Sequence, residues 1–211
     1  MKKIIIFFFG LFFILSCSTK KIDKSNQIIK NISPQLSQSE TNIVSDFLNA
    51  ELATERYKNY RNLEIVVIEE SLKKSQSIEA YELNFNYKDS WGKFSNEWIL
   101  DSIQLRKVKS ELENESVYCW KITDFKNYKV SLMKNKTLRN IINSGEYINL
   151  PEKLILYLTK PLIIDENNAL ISFNIGLSKS GFGSLNHYTA LMRKVNDKWV
   201  ISASYDDGFY Y

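Results

Sequence analysis

The sequence predicts an α+β domain, and three patterns carry that prediction. Apolar residues recur at helical spacing after residue 40, several short runs alternate β-branched or aromatic residues with polar ones, and turn-forming residues separate four such runs in the last third. The expected architecture is an N-terminal amphipathic helix and further short helices packed on an antiparallel sheet with a C-terminal four-stranded meander.

A first helix is expected over residues 40–60. Ser37 and Glu40 have capping-box spacing, and Ile43, Phe47, Leu48 and Leu52 form an apolar stripe. Glu51 and Glu55 lie one turn apart, which would suit paired catalytic carboxylates, but the adjacent Arg56 and Lys58 assign them to a solvated surface opposite the stripe. Leu63, Glu64, Ile65, Val66, Val67 and Ile68 form a β-branched run that reads as a strand. Over residues 78–87, Tyr81, Leu83, Phe85 and Tyr87 alternate with polar residues, which predicts a second strand with one buried face. Ile99, Ile103, Leu105 and Val108 return to helical spacing over residues 98–112. Two short strands are expected over residues 117–133. A short helix is expected over residues 137–143, before the turn at Ser144 and Gly145.

The meander is expected from runs at residues 161–164, 169–176, 188–195 and 198–205. Asp165, Glu166, Asn167 and Asn168 supply the first turn, residues 177–187 a longer loop, and Asn196 with Asp197 a tight hairpin. In the last run Trp199, Ile201, Ala203 and Tyr205 alternate with Val200, Ser202 and Ser204, so one face of the sheet should pack on the helices.

Ahead of the domain, Lys2 and Lys3 precede a twelve-residue apolar run, residues 4–15. That run is too short to span a bilayer, which takes roughly 20 apolar residues, and it has the make-up of an export leader. Ile14, Leu15, Ser16 and Cys17 resemble the lipobox of bacterial lipoproteins, with Ile14 as the branched residue, Ser16 at the cut and Leu15 departing from the small residue usual there. The resemblance implies loss of residues 1–16 and a Cys17 that carries acyl chains on its thiol and its new amine. Two or three chains make such an anchor durable, where one myristoyl chain binds only marginally. Residues 17–38 then read as the lipidated cysteine and a polar tether, and residues 39–211 as a single folded domain. A tethered α+β domain rich in Lys, Asn and Ile is similar to uncharacterised lipoproteins of Bacteroidota. This resemblance implies a cell-envelope location, anchored by lipid to a bacterial membrane, the outer one by expectation, with the domain in the periplasm or at the cell surface. It transfers no active site.

Loss of Lys2 and Lys3 lowers the basic count from 28 to 26 against 24 acidic residues, and the formal charge from +4 to +2. Basic and acidic residues are interspersed, without the basic stripe of a nucleic-acid binder, so no nucleic-acid partner is expected. With Cys17 acylated, Cys119 is the one remaining thiol, which rules out an internal disulfide. Its apolar, aromatic neighbourhood, Val117 to Ile122, assigns it to a buried strand in the core.

His187 is the sole histidine, which excludes multi-histidine zinc sites, so no metal and no cofactor are expected. Gly181, Gly183, Ser184 and His187 form a candidate ligand loop, its glycines suited to positive φ, but the G-x-S-x-G elbow of a serine nucleophile is absent and no catalytic residue is assigned. Asp206 and Asp207 form a candidate acidic site after the last strand; Asp165 and Glu166 read as turn residues. Tyr205, Phe209, Tyr210 and Tyr211 end the chain in an aromatic cluster that either docks on its own sheet or offers rings to a glycan or protein. The expected function is therefore that of a membrane-anchored envelope lipoprotein with a non-enzymatic binding or accessory domain, its partners the membrane and an envelope protein or glycan. An inhibitor or immunity lipoprotein falls in the same class. The alternative is an envelope hydrolase acting on glycans or peptides through carboxylates.

Overall fold

The computed structural model describes residues 35–87, 97–180 and 183–208, all within one compact unit, Ser33–Tyr211. Cys17, the leader, Gly181 and the aromatic residues 209–211 lie outside the described residues. The helices are α1 (Gln38–Leu52), α2 (Lys74–Tyr87), α3 (Ser102–Leu112) and α4 (Asn135–Ser144). The strands are β1 (Glu64–Ile68), β2 (Val130–Met133), β3 (Lys153–Leu158), β4 (Leu162–Ile163), β5 (Asn168–Leu177), β6 (Ser184–Val195) and β7 (Lys198–Tyr205). Among the described residues no helix is long and apolar enough to cross a membrane.

Local chemistry sets the helix ends. Ser37 Oγ accepts from the Glu40 amide at 3.2 Å and the Glu40 carboxylate accepts from the Ser37 amide at 2.8 Å, closing a capping box on α1. Asp101 and Gln104 repeat the device on α3. Gly145 ends α4 with φ +73, and its amide donates to Ile142 O at 3.1 Å.

The strands join in one sheet of order β2-β1-β3-β5-β6-β7, with β4 also paired to β5. β1 runs parallel to both β2 and β3, and the remaining pairs are antiparallel. The expected antiparallel sheet is thus corrected to a mixed one. Helices α2 and α3 separate β1 from β2, and α4 separates β2 from β3, connections long enough to return a strand in the same direction.

Helices cover both faces. Strand alternation sends Val67, Leu154, Leu156, Ile171 and Phe173 into one core with Ile43, Val44, Phe47 and Leu48 of α1. Leu170, Leu191, Ala203 and Tyr205 pack on the opposite face with Ile78 and Tyr81 of α2 and Leu105 of α3. Val66, Ile68 and Ile155 meet Leu138 of α4 there too, in a separate small core. A bulge in the β6–β7 pairing, where Leu191 faces Ala203 but Met192 faces Ile201, switches β7 between these cores: Trp199 packs with the α1 side, Ala203 and Tyr205 with the α2 side. The single buried face expected for β7 is corrected accordingly.

Other expectations change as well. Residues 78–87 belong to helix α2, not a strand. Its buried residues are Ser77, Ile78, Ala80, Tyr81 and Asn84, and two of these are polar, which hid the helical period. Ser77 is buried because its hydroxyl meets that of Ser172 at 2.7 Å, and Ser172 in turn meets Thr189 at 2.6 Å, so hydroxyls on β5 and β6 receive the helix. The first helix stops at Leu52 and the chain re-forms as a 3-10 turn over Glu55–Tyr60, while Leu36, ahead of the helix, packs in the α1-side core. Regular helix in the 98–112 region starts at the Asp101 cap. Within residues 117–133 only β2 is a strand. Cys119 makes a single bridge to Glu70, and with Tyr118 and Trp120 turned into the core it is half-buried instead of a core residue.

Gly145 has open space around an added Cβ, so substitution there meets backbone strain alone. Gly145→Ala should lower stability by about 1 kcal/mol, a fall of about 2–4 °C in Tm by calorimetry.

Candidate functional site

The end of α1, the 3-10 turn after it and the start of β6 meet at a carboxylate. Glu51 is 3% exposed, four residues beyond Phe47 on the apolar stripe. Tyr57 Oη donates to its Oε1 at 2.7 Å, Asn186 Nδ2 donates to the same oxygen at 2.8 Å, and Tyr188 Oη donates to Oε2 at 2.5 Å. Burial, then the hydrogen bond to Glu51 and the charge of its carboxylate, push both tyrosine hydroxyls far above their ordinary range. Arg56, next to Tyr57, donates from Nη1 to Leu185 O at 3.1 Å and adds a second tie to β6. The expectation that Glu51 lies on a solvated surface is overturned; Glu55, one turn further, is exposed. The missed signal is positional. Glu51 stands seven residues after Val44 and four after Phe47, where an apolar residue belongs, so a charge there implies buried partners.

The ring of Tyr57 also forms part of a surface groove of about 540 Å³, within the size range of small-molecule sites. Tyr57, Tyr60 and Tyr128 supply aromatic walls, and Leu52, Leu63, Ile65 and Leu154 an aliphatic lining. Asn49 and Arg61 are the polar members: Tyr128 Oη donates to Asn49 Oδ1 at 2.8 Å, and Arg61 Nη2 donates to Ala53 O at 3.1 Å. Burial raises the Tyr128 hydroxyl above its ordinary value. The lining contains no carboxylate, histidine, cysteine, serine or threonine; its polar groups are the tyrosine hydroxyls, the Asn49 amide and the Arg61 guanidinium. Nothing at sequence level joins residues 49–65 with 128 and 154.

Of the residues singled out from sequence, His187 and Asp207 meet each other, away from the groove lining. Ser184 and His187 lie on β6, not in a loop, because β6 begins at Ser184. Gly183 does not have the positive φ expected of it; its close neighbour is Ser180 O, 3.3 Å from where a Cβ would sit. Ser184 Oγ donates to Asn174 Oδ1 at 2.9 Å. His187 Nδ1 lies 2.8 Å from both carboxylate oxygens of Asp207, so one residue of each candidate set forms a single pair. Asp206 is exposed; its Oδ1 accepts from the Gly208 amide at 2.9 Å, while its backbone carbonyl accepts from Asn84 Nδ2 at 2.7 Å. Asp206 and Asp207 therefore serve different partners. Among the described residues no group of three His, Cys, Asp or Glu side chains could hold a metal.

Glu51→Ala should cost about 3 kcal/mol in urea denaturation, because one buried and two partly buried donors lose their acceptor. The raised hydroxyls of Tyr57 and Tyr188 contribute fully below pH 10, the ordinary tyrosine value, and that contribution is lost as pH rises above it, since the unfolded chain releases those protons first. Tyr57→Phe should thus lower stability at pH 7 yet flatten the loss above pH 10 by about 1.4 kcal/mol per pH unit. Comparison with protein-family models, curated proteins and solved structures found no significant match.

Proposed function

We propose that this chain is an envelope lipoprotein, anchored to a bacterial membrane by acyl chains on Cys17, whose folded domain binds an envelope ligand without catalysing a reaction. The observation that carries the binding half is the groove walled by Tyr57, Tyr60 and Tyr128: it is concave and mostly apolar, with Asn49 and Arg61 as its polar members. The lipobox-like residues Ile14 to Cys17 support the anchor. A glycan or peptide hydrolase working through Asp206 and Asp207 has weaker support, because the first carboxylate caps the Gly208 amide while the second holds His187.

Capture of the full chain from gently solubilised envelopes, followed by mass spectrometry of both proteins and extracted small molecules, tests the binding reading. A species retained by the wild type and lost with Leu63→Asp, in protein whose thermal unfolding is still cooperative, is the expected result. Equal recovery with both forms would count against the groove. The anchor is tested separately: Cys17→Ala protein should leave the membrane fraction on carbonate washing, and its retention there would refute acylation as the anchor.

A further inference from the structure

Arg61 stands at the groove with most of its hydrogen-bonding capacity unspent. A guanidinium carries five N–H donors. One of them reaches Ala53 O, and among the described residues no carboxylate forms an ion pair with Arg61. The groove therefore presents an exposed positive charge beside an aliphatic surface, a combination complementary to an amphipathic anion. A sugar fits less well. Each of its hydroxyls needs a partner once desolvated, and the hydroxyl protons of Tyr57 and Tyr128 are already given to Glu51 and Asn49.

We propose that the groove binds an acyl carboxylate of the fatty-acid type, the carboxylate held by Arg61 and the chain lying on Leu52, Leu63, Ile65 and Leu154. This rests on the binding reading above and names its ligand class. Arginine suits the role because its planar fork can meet both carboxylate oxygens at once, and each methylene laid on the aliphatic surface should strengthen binding about fourfold.

The test uses the full chain in lipid nanodiscs, photolabelled with a diazirine-bearing palmitate and mapped by peptide mass spectrometry. The label is expected on peptides spanning residues 49–65, displaced by excess palmitate. It should fall at least about tenfold with Arg61→Ala and less with Arg61→Lys. The methyl ester of the same probe, on wild-type protein, should label the groove weakly, a comparison independent of whether any variant folds. Equal groove labelling by acid and ester, or no groove label at saturating probe, overturns the proposal. If envelope capture meanwhile yields a groove-dependent species that is not an acyl carboxylate, this inference falls and the binding reading stands; if capture yields none and the palmitate probe does not label, both fall.

Discussion

Glu51 places a carboxylate inside the protein, and the surrounding structure is arranged so that the charge is tolerated. An ion that size loses several kcal/mol of hydration on burial unless donors replace the water. Tyr57, Asn186 and Tyr188 supply three, drawn from a turn six residues away and from a strand 135–137 residues away. Satisfying one oxygen pair therefore fixes the exit of α1, the 3-10 turn behind it and the start of β6 relative to one another. The same contact holds the Tyr57 ring in position as a wall of the groove, so the groove's shape depends on a polar interaction that no ligand need touch.

The sheet is polar at selected points on its other side too. Ser77, Ser172 and Thr189 share hydroxyl hydrogen bonds where α2 crosses β5 and β6, and Asn84 links the same helix to the backbone of Asp206 beyond β7. Each group is buried and each has a partner, which is the condition under which polar burial specifies a docking register without a large penalty. Aromatic rings complete the seat: Tyr81 meets Tyr205 at 4.8 Å and Trp98 at 5.7 Å, both edge-on. The β7 bulge makes this arrangement workable, since without the extra residue Tyr205 would point into the α1-side core.

Two chemically distinct places result. The face bearing His187 and Asp207 carries an imidazole–carboxylate pair partly shielded by the sheet, with side chains about one-fifth exposed. The groove is lined by rings, aliphatic side chains and one arginine, Arg61, which has no carboxylate partner among the described residues. An amphipathic anion, the proposed ligand, would use the second set.

Sequence by itself determined what depends on neighbours within a turn or a strand. The α+β class, the capping box at Ser37, the glycine stop at Gly145 and the β-branched run of β1 all follow from spacings of two to four residues, because caps, turns and face periodicity are local geometry. Tertiary structure decided the rest. Ser77 and Asn84 read as solvent-facing until a sheet offers them partners, so α2 could pass for a strand; Glu51 reads as surface charge until Tyr188 arrives from the far end of the chain. The parallel pairing of β1, the change of face in β7, the union of His187 with Asp207 and the groove itself each join residues far apart in sequence. Their energies come from contacts that exist only after the chain has closed on itself, and local pattern holds no record of them.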